Sequence, residues 1–450
     1  MPTPNISNTK LHTEEAVELH LVDQLVTRQG WLQRSYRDYD RKLALDPEMI
    51  EEFVKTTQPE AWKKLCDQYP AKERDTLSRQ VESRLKAVGA LEVLRQGITI
   101  VPGIKITLCA FKPASGLNQA SQRAYEGNIL TVMPQVRYSL RNENAIDVVL
   151  YVSMTTHLNN GKTRFLPFNR GRDNGAGNPD VENEFRIAYL YQDIGARKAV
   201  FSREVLLGIL HRFVLVDEVQ QPNGRVKRTT IWPRFQQLDA VRMLIQDAKA
   251  NGAGQNYLFQ HSAGSGKSNT IAWAAHHLAT LHDDQDTPIF DTIIIVTDRV
   301  VLDRQLQQTV KSFAQTQGYV VPIDGTSRQL KKAIEEGAKI IISTIHKFST
   351  EQLSVLKNEE NRRFAIIIDE AHSSQSGKHA DSMARVLAEG EMTEEEQEVD
   401  ATEQALLELQ RLRGPQANLS YLAFTATPKN VTLERFGRIS DEGPQPFHLY

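Results

Sequence analysis

The residues most able to do chemistry lie in the segment His261-Ser-Ala-Gly-Ser-Gly-Lys-Ser268. Glycines at 264 and 266 permit the tight turns that aim backbone amides inward, around phosphate oxygens. Ser265 sits between them and joins the same cradle. Lys267 supplies a point charge for β- and γ-phosphates, and the Ser268 hydroxyl can ligate Mg2+. The run from Asn269 to Leu281 reads as a helix whose amino-terminal dipole favours an anion, and Tyr257 to Gln260 reads as the strand before the loop. His261 stands where the phosphate-loop pattern usually has glycine. The bare alternative is a flexible loop ahead of a helix.

Two further segments end apolar runs with polar groups. Phe364-Ala-Ile-Ile-Ile-Asp-Glu-Ala-His372 reads as a strand buried on both faces, with Asp369 and Glu370 emerging at its carboxyl end. Asp369 would hold Mg2+, and Glu370 would polarise an attacking water. Leu422-Ala-Phe-Thr-Ala-Thr-Pro428 repeats the pattern with hydroxyls, so Thr425 and Thr427 could sense the state of a γ-phosphate. Taken alone, two such acids are more often a loop start, and such threonines more often only a strand terminus.

These groups need a scaffold. Beyond residue 222, helical stretches alternate with β-branched runs at Thr292 to Val296, Lys339 to Ser343, Phe364 to Ile368 and Leu419 to Phe424. Such alternation predicts βαβ units around a parallel sheet. The first half reads as α+β. Glu14 begins a helix, capped by Thr13, whose apolar face comprises Ala16, Val17, Leu19, Leu21, Val22, Leu25 and Val26. A second helix is expected from Ala71 to Leu94. Strands are expected at Ile98 to Val101, Ile104 to Phe111 and Ile146 to Val152, and a glycine-rich loop from Asn169 to Pro179. Pro, Asn, Gly and charge between Gln220 and Arg228 predict a boundary, giving domains 1–222 and 223–450. The acidic stretch Glu389 to Glu403 reads as a solvated insertion.

At 450 residues, with 40% hydrophobic and 24% charged residues, the chain can bury more than one core. A net charge of −2 excludes a uniformly basic coat but leaves room for a local basic groove. Cys66 and Cys109, in no CxxC pair, argue against a disulfide framework or a cysteine zinc site. No run is long and apolar enough to span a bilayer, so a cytoplasmic, soluble protein is expected.

In their order, the three motifs resemble those of superfamily-two helicases and translocases. Pro233-Arg-Phe-Gln-Gln-Leu-Asp-Ala-Val241 resembles the adenine-reading segment of that family, with Gln237 at its glutamine position. Ile295-Val-Thr-Asp-Arg-Val-Val-Leu-Asp-Arg-Gln305 and Ser343-Thr-Ile-His346 resemble its DNA-contacting segments, which makes Arg299, Arg304, Thr344 and Lys347 candidates for contact with duplex DNA. Ordinary surface charge explains those residues equally well. The phrases Gln260 to Ser268, Asp369 to Gly377, Phe424 to Pro428 and Thr163-Arg-Phe-Leu-Pro-Phe-Asn169 are similar to the restriction (R) subunit of type I restriction-modification enzymes.

The resemblance implies a PD-(D/E)xK-type nuclease domain ahead of a RecA-like motor, with ATP and Mg2+ as cofactors. It also implies modification (methyltransferase) and specificity subunits as partners. Ile146-Asp-Val-Val-Leu150 matches the strand that carries the first metal-binding aspartate, here Asp147, and Glu18 corresponds to a helical glutamate. The matching Glu-x-Lys strand is missing, and the tripeptide occurs nowhere in the chain. An internally deleted nuclease core, unable to assemble its metal site, is therefore expected. The sequence also stops soon after the Thr-Ala-Thr-Pro strand, before any second motor lobe. The expected activity is that of a type I site-specific deoxyribonuclease subunit with an ATPase motor and an impaired nuclease. Alternatives are a fragment that binds ATP and partners without cleaving DNA, or a small-molecule kinase. The DNA recognition sequence and assembly stoichiometry are not legible.

Overall fold

The computed structural model describes residues 14–41, 45–113, 118–136, 168–172, 177–220, 224, 226–262, 264–297, 307, 309–310, 319–323, 327–344, 362–369, 417–428, 430–441 and 443–450. The chain divides into two compact units, one of Met1–Arg170 with Asn178–Val214, the other of Gly171–Gly177 with Leu215–Tyr450.

The first unit is built mainly from helices. Helix α1 (Glu14–Gln29) buries Leu21, Val22 and Leu25. Leu19, expected on that face, is 54% exposed, because at about 100° per residue it lies at the edge of the stripe, roughly 110° round the helix from the centre of 21, 22 and 25. The proposed Thr13 cap lies outside the described residues. Two helices that the reading of periodicity left out follow: α2 (Pro47–Thr57) and α3 (Pro59–Gln68), each with proline at its start. The Asp46 carboxylate caps α2 by accepting from the amides of Glu48 and Met49 at 3.0 and 3.3 Å.

The long helix expected from 71 to 94 is in fact two, α4 (Glu73–Val88) and α5 (Ala90–Gln96), divided at Gly89 with φ +86°. That left-handed backbone ends a helix and favours glycine. Strands β2 (Ile98–Ile100) and β3 (Ile104–Ile106) pair antiparallel. The latter stops five residues short of the expected Phe111. At Thr107 the Gln58 side chain takes over from a strand, donating to the Thr107 carbonyl at 2.9 Å and accepting from its amide at 2.8 Å. The core packs Phe53, Val54, Leu65, Leu77, Val81 and Val93 on the hairpin's isoleucines. Two short strands, β1 (Leu32–Gln33) and β4 (Thr131–Val132), pair in parallel, and α6 (Gln119–Glu126) and α7 (Arg203–Gly208) complete the unit. The strand expected at Ile146 to Val152, with Asp147, lies outside the described residues.

The second unit opens with an antiparallel pair of strands, β5 (Leu215–Gln220) and β6 (Val226–Ile231), which flank the stretch read as a boundary. Helix α8 (Phe235–Asn251) leads into β7 (Asn256–Gln260), followed by α9 (Lys267–Ala279). Further strands are β8 (Thr292–Thr297), β9 (Val320–Pro322), β10 (Ile340–Thr344), β11 (Phe364–Asp369) and β12 (Leu419–Thr425). A hairpin of β13 (Arg438–Ser440) and β14 (Gly443–Gln445) precedes the last strand, β15 (His448–Leu449).

Seven of these strands form one sheet in the order β15-β7-β12-β11-β8-β10-β9, and every pairing in it is parallel. Strands β8, β10, β11 and β12 are buried along their whole length, as continuous apolar runs demand when both faces are covered. The α/β fold with a parallel sheet, expected from the alternation of elements, is therefore present. Among the described residues, no helix is long and apolar enough to cross a membrane.

Candidate active site at the carboxyl ends of the sheet

Sheet register decides which side chains meet. Asp369 is paired with Phe424, Phe424 with Phe259, and Phe259 with His448, one line across β11, β12, β7 and β15. In-register side chains of a sheet point to the same face, and adjacent strands lie about 4.8 Å apart. Asp369 is thus two strand spacings, roughly 10 Å, from the strand that launches the phosphate loop. The parallel arrangement places Asp369, Thr425 and the 261–268 loop at one end of the sheet, where open α/β sheets bind ligands.

The rings of Phe259 and Phe424 stack at 4.5 Å with 8° between their planes. They form an apolar floor beneath the loop. The His261 amide donates to the Thr425 carbonyl at 2.8 Å, and the Ser262 amide donates to the Tyr450 carbonyl at 2.9 Å. The loop is therefore fastened on both sides as it leaves β7.

Glycine is required twice in the loop. Gly264 and Gly266 have φ values of +77° and +87°, in the left-handed region. A Cβ on Gly264 would meet nothing within 4 Å, whereas one on Gly266 would lie 2.5 Å from the Gln237 side-chain nitrogen. Helix α9 then starts at Lys267, with the amides of Asn269 and Thr270 donating back to the Gly266 carbonyl at 3.1 and 3.2 Å. Lys267 is buried and Ser268 half-buried.

Gln237 occupies a place that the sequence resemblance did not foresee. It is buried in the first turn of α8, its Nε2 donating to the Gly266 carbonyl at 3.0 Å and its Oε1 accepting from the Arg234 amide at 2.8 Å. In this structure it ties the start of α8 to the phosphate loop.

These residues suit a magnesium nucleotide. Left-handed glycines leave the loop's inner wall without side chains. The buried Ser265 hydroxyl finds no hydrogen-bond partner among the described residues, a cost that an added polar ligand would relieve. Asp369 and Ser268 would be the protein's ligands to the metal. So short a donor set fits an ion that takes its other oxygens from phosphates and water. Among the described residues, no group of three or more His, Cys, Asp or Glu forms a metal cage of its own.

Some expected residues fall elsewhere. Thr425 is buried at the end of β12 while Thr427 is exposed beyond it. Thr344 is buried at the end of β10, opposite Thr297, and so is closed to solvent rather than presented for contact. Glu370, Arg299, Arg304, Lys347 and Asp147 lie outside the described residues. In the first unit, Glu18 accepts from the Gln135 backbone and side chain at 3.2 and 2.5 Å. Neither cysteine is disulfide-bonded, and burial pushes the Cys109 thiol up to about 12.

Two residues behind the phosphate loop went unnoticed in the sequence, His448 and Asp239. The fully buried His261 ring meets His448, Nε2 to Nδ1 at 2.9 Å, and His448 Nε2 lies 3.6 Å from the Asp239 carboxylate. Burial, with His448 and Lys267 nearby, pushes the His261 imidazole down to about 3, so it is neutral at physiological pH. Only the departure from glycine at 261 hinted at this cluster, since its partners come from remote parts of the chain.

Comparison with known proteins agrees with the motif reading. Residues 236–393 match the family model for the SWI2/SNF2 ATPase. Over 279 residues the chain is 30% identical to the type I restriction enzyme HindI endonuclease subunit of Haemophilus influenzae, a match covering 57% of this chain and 24% of that protein. The chain thus spans about a quarter of the length of that curated relative. Among solved structures, the UvsW helicase of bacteriophage T4 aligns with 14% identity over 48% of this chain and 58% of that one, at a TM-score of 0.25. A nuclease-deletion mutant of the type ISP restriction-modification enzyme LlaGI, in complex with a DNA substrate mimic, aligns with 15% identity over 43% of this chain and 17% of that one, at a TM-score of 0.27. The family model and the curated relative thus bear out the resemblance to helicase-type ATPases and type I restriction subunits over the parts of the chain they match.

Proposed function

We propose that this chain, which carries a SWI2/SNF2-type ATPase region and is similar to a type I restriction endonuclease subunit, is the ATP-binding motor portion of a DNA-translocating restriction subunit. One observation carries the reading. A glycine-cradled lysine loop and an aspartate stand at the same end of one parallel sheet, two strands apart and in register through β12. That arrangement can hold a nucleotide's phosphate tail beside a metal-binding carboxylate.

In this reading, Gly264, Ser265, Gly266 and Lys267 bind the phosphates, with Lys267 offsetting their charge. Ser268 and Asp369 hold Mg2+, which when bound would neutralise charge building up on the transferred phosphate. Glu370 orients the attacking water, and Thr425 and Thr427 respond to whether the γ-phosphate is present. Gln237 reads the base and shares its amide with the loop. Duplex DNA contacts Arg299 and Arg304, and modification and specificity subunits are the assembly partners. Residues 223–450 make up the motor domain, and residues 1–222 a nuclease-like domain of PD-(D/E)xK type.

The test is ATP hydrolysis with and without duplex DNA, set against Lys267→Ala. Stimulation by DNA that the variant lacks supports the motor. Binding of MgATP with no turnover under either condition points instead to a second reading, an ATP- and partner-binding component without catalysis. The missing Glu-x-Lys tripeptide favours that second reading for the nuclease half alone. With Asp147 as the only strand acid matched to the nuclease pattern, and no Glu-x-Lys lysine to orient a nucleophile, the chain is expected not to cut DNA with Mg2+ and ATP. Cleavage abolished by Asp147→Ala would contradict this.

A further inference from the structure

The His261, His448 and Asp239 side chains form a buried chain behind the phosphate loop, and it joins the start of that loop to β15 and α8. Its protons can be placed in order. Asp239 lies 3.6 Å from His448 Nε2, and a carboxylate there favours the proton on that nitrogen. With its proton on Nε2, His448 offers Nδ1 as an acceptor. The 2.9 Å contact requires one donor and one acceptor, so the His261 proton sits on Nε2. His261 Nδ1 is left as a bare lone pair, and it has no hydrogen-bond partner among the described residues although the ring is fully buried. An unmet buried acceptor costs about 1–3 kcal/mol, and such a group calls for an explanation. The backbone ties the same pieces together: Tyr450 donates to the Gln260 carbonyl at 2.8 Å and accepts from Ser262 at 2.9 Å.

We propose that His448, oriented by Asp239, is a positioning residue for nucleotide binding: it holds His261 in one tautomer and orientation, so that the His261 Nδ1 lone pair steadies the phosphate loop in its nucleotide-bound form. It follows that MgATP affinity is set in part from β15, the edge strand beside the loop. This inference rests on the ATP-binding reading above.

The test uses the full chain and isothermal titration with MgATP, alongside steady-state ATP hydrolysis. His448→Phe keeps a ring but removes the acceptor, and His448→Asn restores an acceptor near the Nδ1 position. The expected result is a loss of at least tenfold in MgATP affinity for His448→Phe, recovery to within about threefold for His448→Asn, and kcat at saturating MgATP changed by less than threefold in both. Affinity unchanged in His448→Phe, or equal losses in the two variants, would overturn the proposal. If His448→Phe does not fold, Asp239→Asn decides. That change is nearly isosteric, and it can donate to His448 Nε2 and reverse the proton order, so a several-fold loss at wild-type melting temperature is expected, and unchanged affinity would overturn the proposal. Should the wild-type chain bind no MgATP at all, the ATP reading itself fails, an outcome distinct from the two failures above.

Discussion

At the scale of single residues, the two loop glycines carry different constraints and should respond differently to the same substitution. Gly264→Ala meets open space and bears only the strain of a left-handed backbone, on the order of 1 kcal/mol. Gly266→Ala bears that strain and also drives a methyl group into the Gln237 amide, breaking the tie from α8 to the loop. MgATP affinity is expected to fall several-fold in the first and by more than tenfold in the second, as read by titration calorimetry. Equal losses would show that the Gln237 contact is without consequence. The glycines, lysine and strand-end aspartate were legible in the sequence because their chemistry depends on short local spacing. The Gln237 contact with the loop and the pairing of His261 with His448 were not, since each joins residues far apart in the chain. No local pattern encodes such a contact.

At the scale of elements, the sheet depends on small anchors as well as its apolar strands. Ser420, fully buried in β12, accepts from the amides of Gly254 and Gln255 at 3.0 and 3.1 Å, fixing the turn that feeds β7. Ser420→Ala leaves those two amides without that acceptor and is expected to lower stability by about 1–3 kcal/mol, measurable by urea unfolding. A change below a few tenths of a kcal/mol would refute that role. The strands at 256–260, 292–297, 340–344, 364–369 and 419–425 were all readable, because continuous apolar runs, and the strand slot just ahead of a phosphate loop, announce themselves. The short strands β9 and β15 were not, as each carries too few side chains for a period to emerge, whereas β2 and β3, equally short, were betrayed by their isoleucines. In the first unit, the prolines at 47 and 59 marked helix starts more reliably than the apolar pattern did, and Gly89 marked the break within the long helical stretch.

At the scale of the whole molecule, buried histidines make stability depend on pH in a definite direction. His261 is pushed down to about 3 by burial, His448 and Lys267, and His211 to about 4 by burial, Arg212 and Arg95. Above about 6.5 both are neutral in the folded and the unfolded chain alike. As pH falls from about 6.5 toward 4, the unfolded chain takes up protons that the folded chain refuses, so stability is present at neutral pH and lost with acid. For a fully buried group such as His261 the slope is roughly 1.4 kcal/mol per pH unit. The melting temperature should therefore be nearly level from pH 8 to 7 and fall steadily from 6.5 to 4, with a shallower fall in His261→Gln. A level profile across the acid range would contradict these environments.

Function at this scale rests on one geometric claim, that the loop at 261–268 and the carboxylate of Asp369 form a single MgATP site at the end of the parallel sheet. The most direct measurement is MgATP binding to the wild-type chain, to Lys267→Ala and to Asp369→Asn, each with and without Mg2+. Magnesium-dependent binding is expected in the wild type, a loss of at least a hundredfold in Lys267→Ala, and binding that no longer responds to Mg2+ in Asp369→Asn. Wild-type binding that is indifferent to both substitutions would contradict the claim.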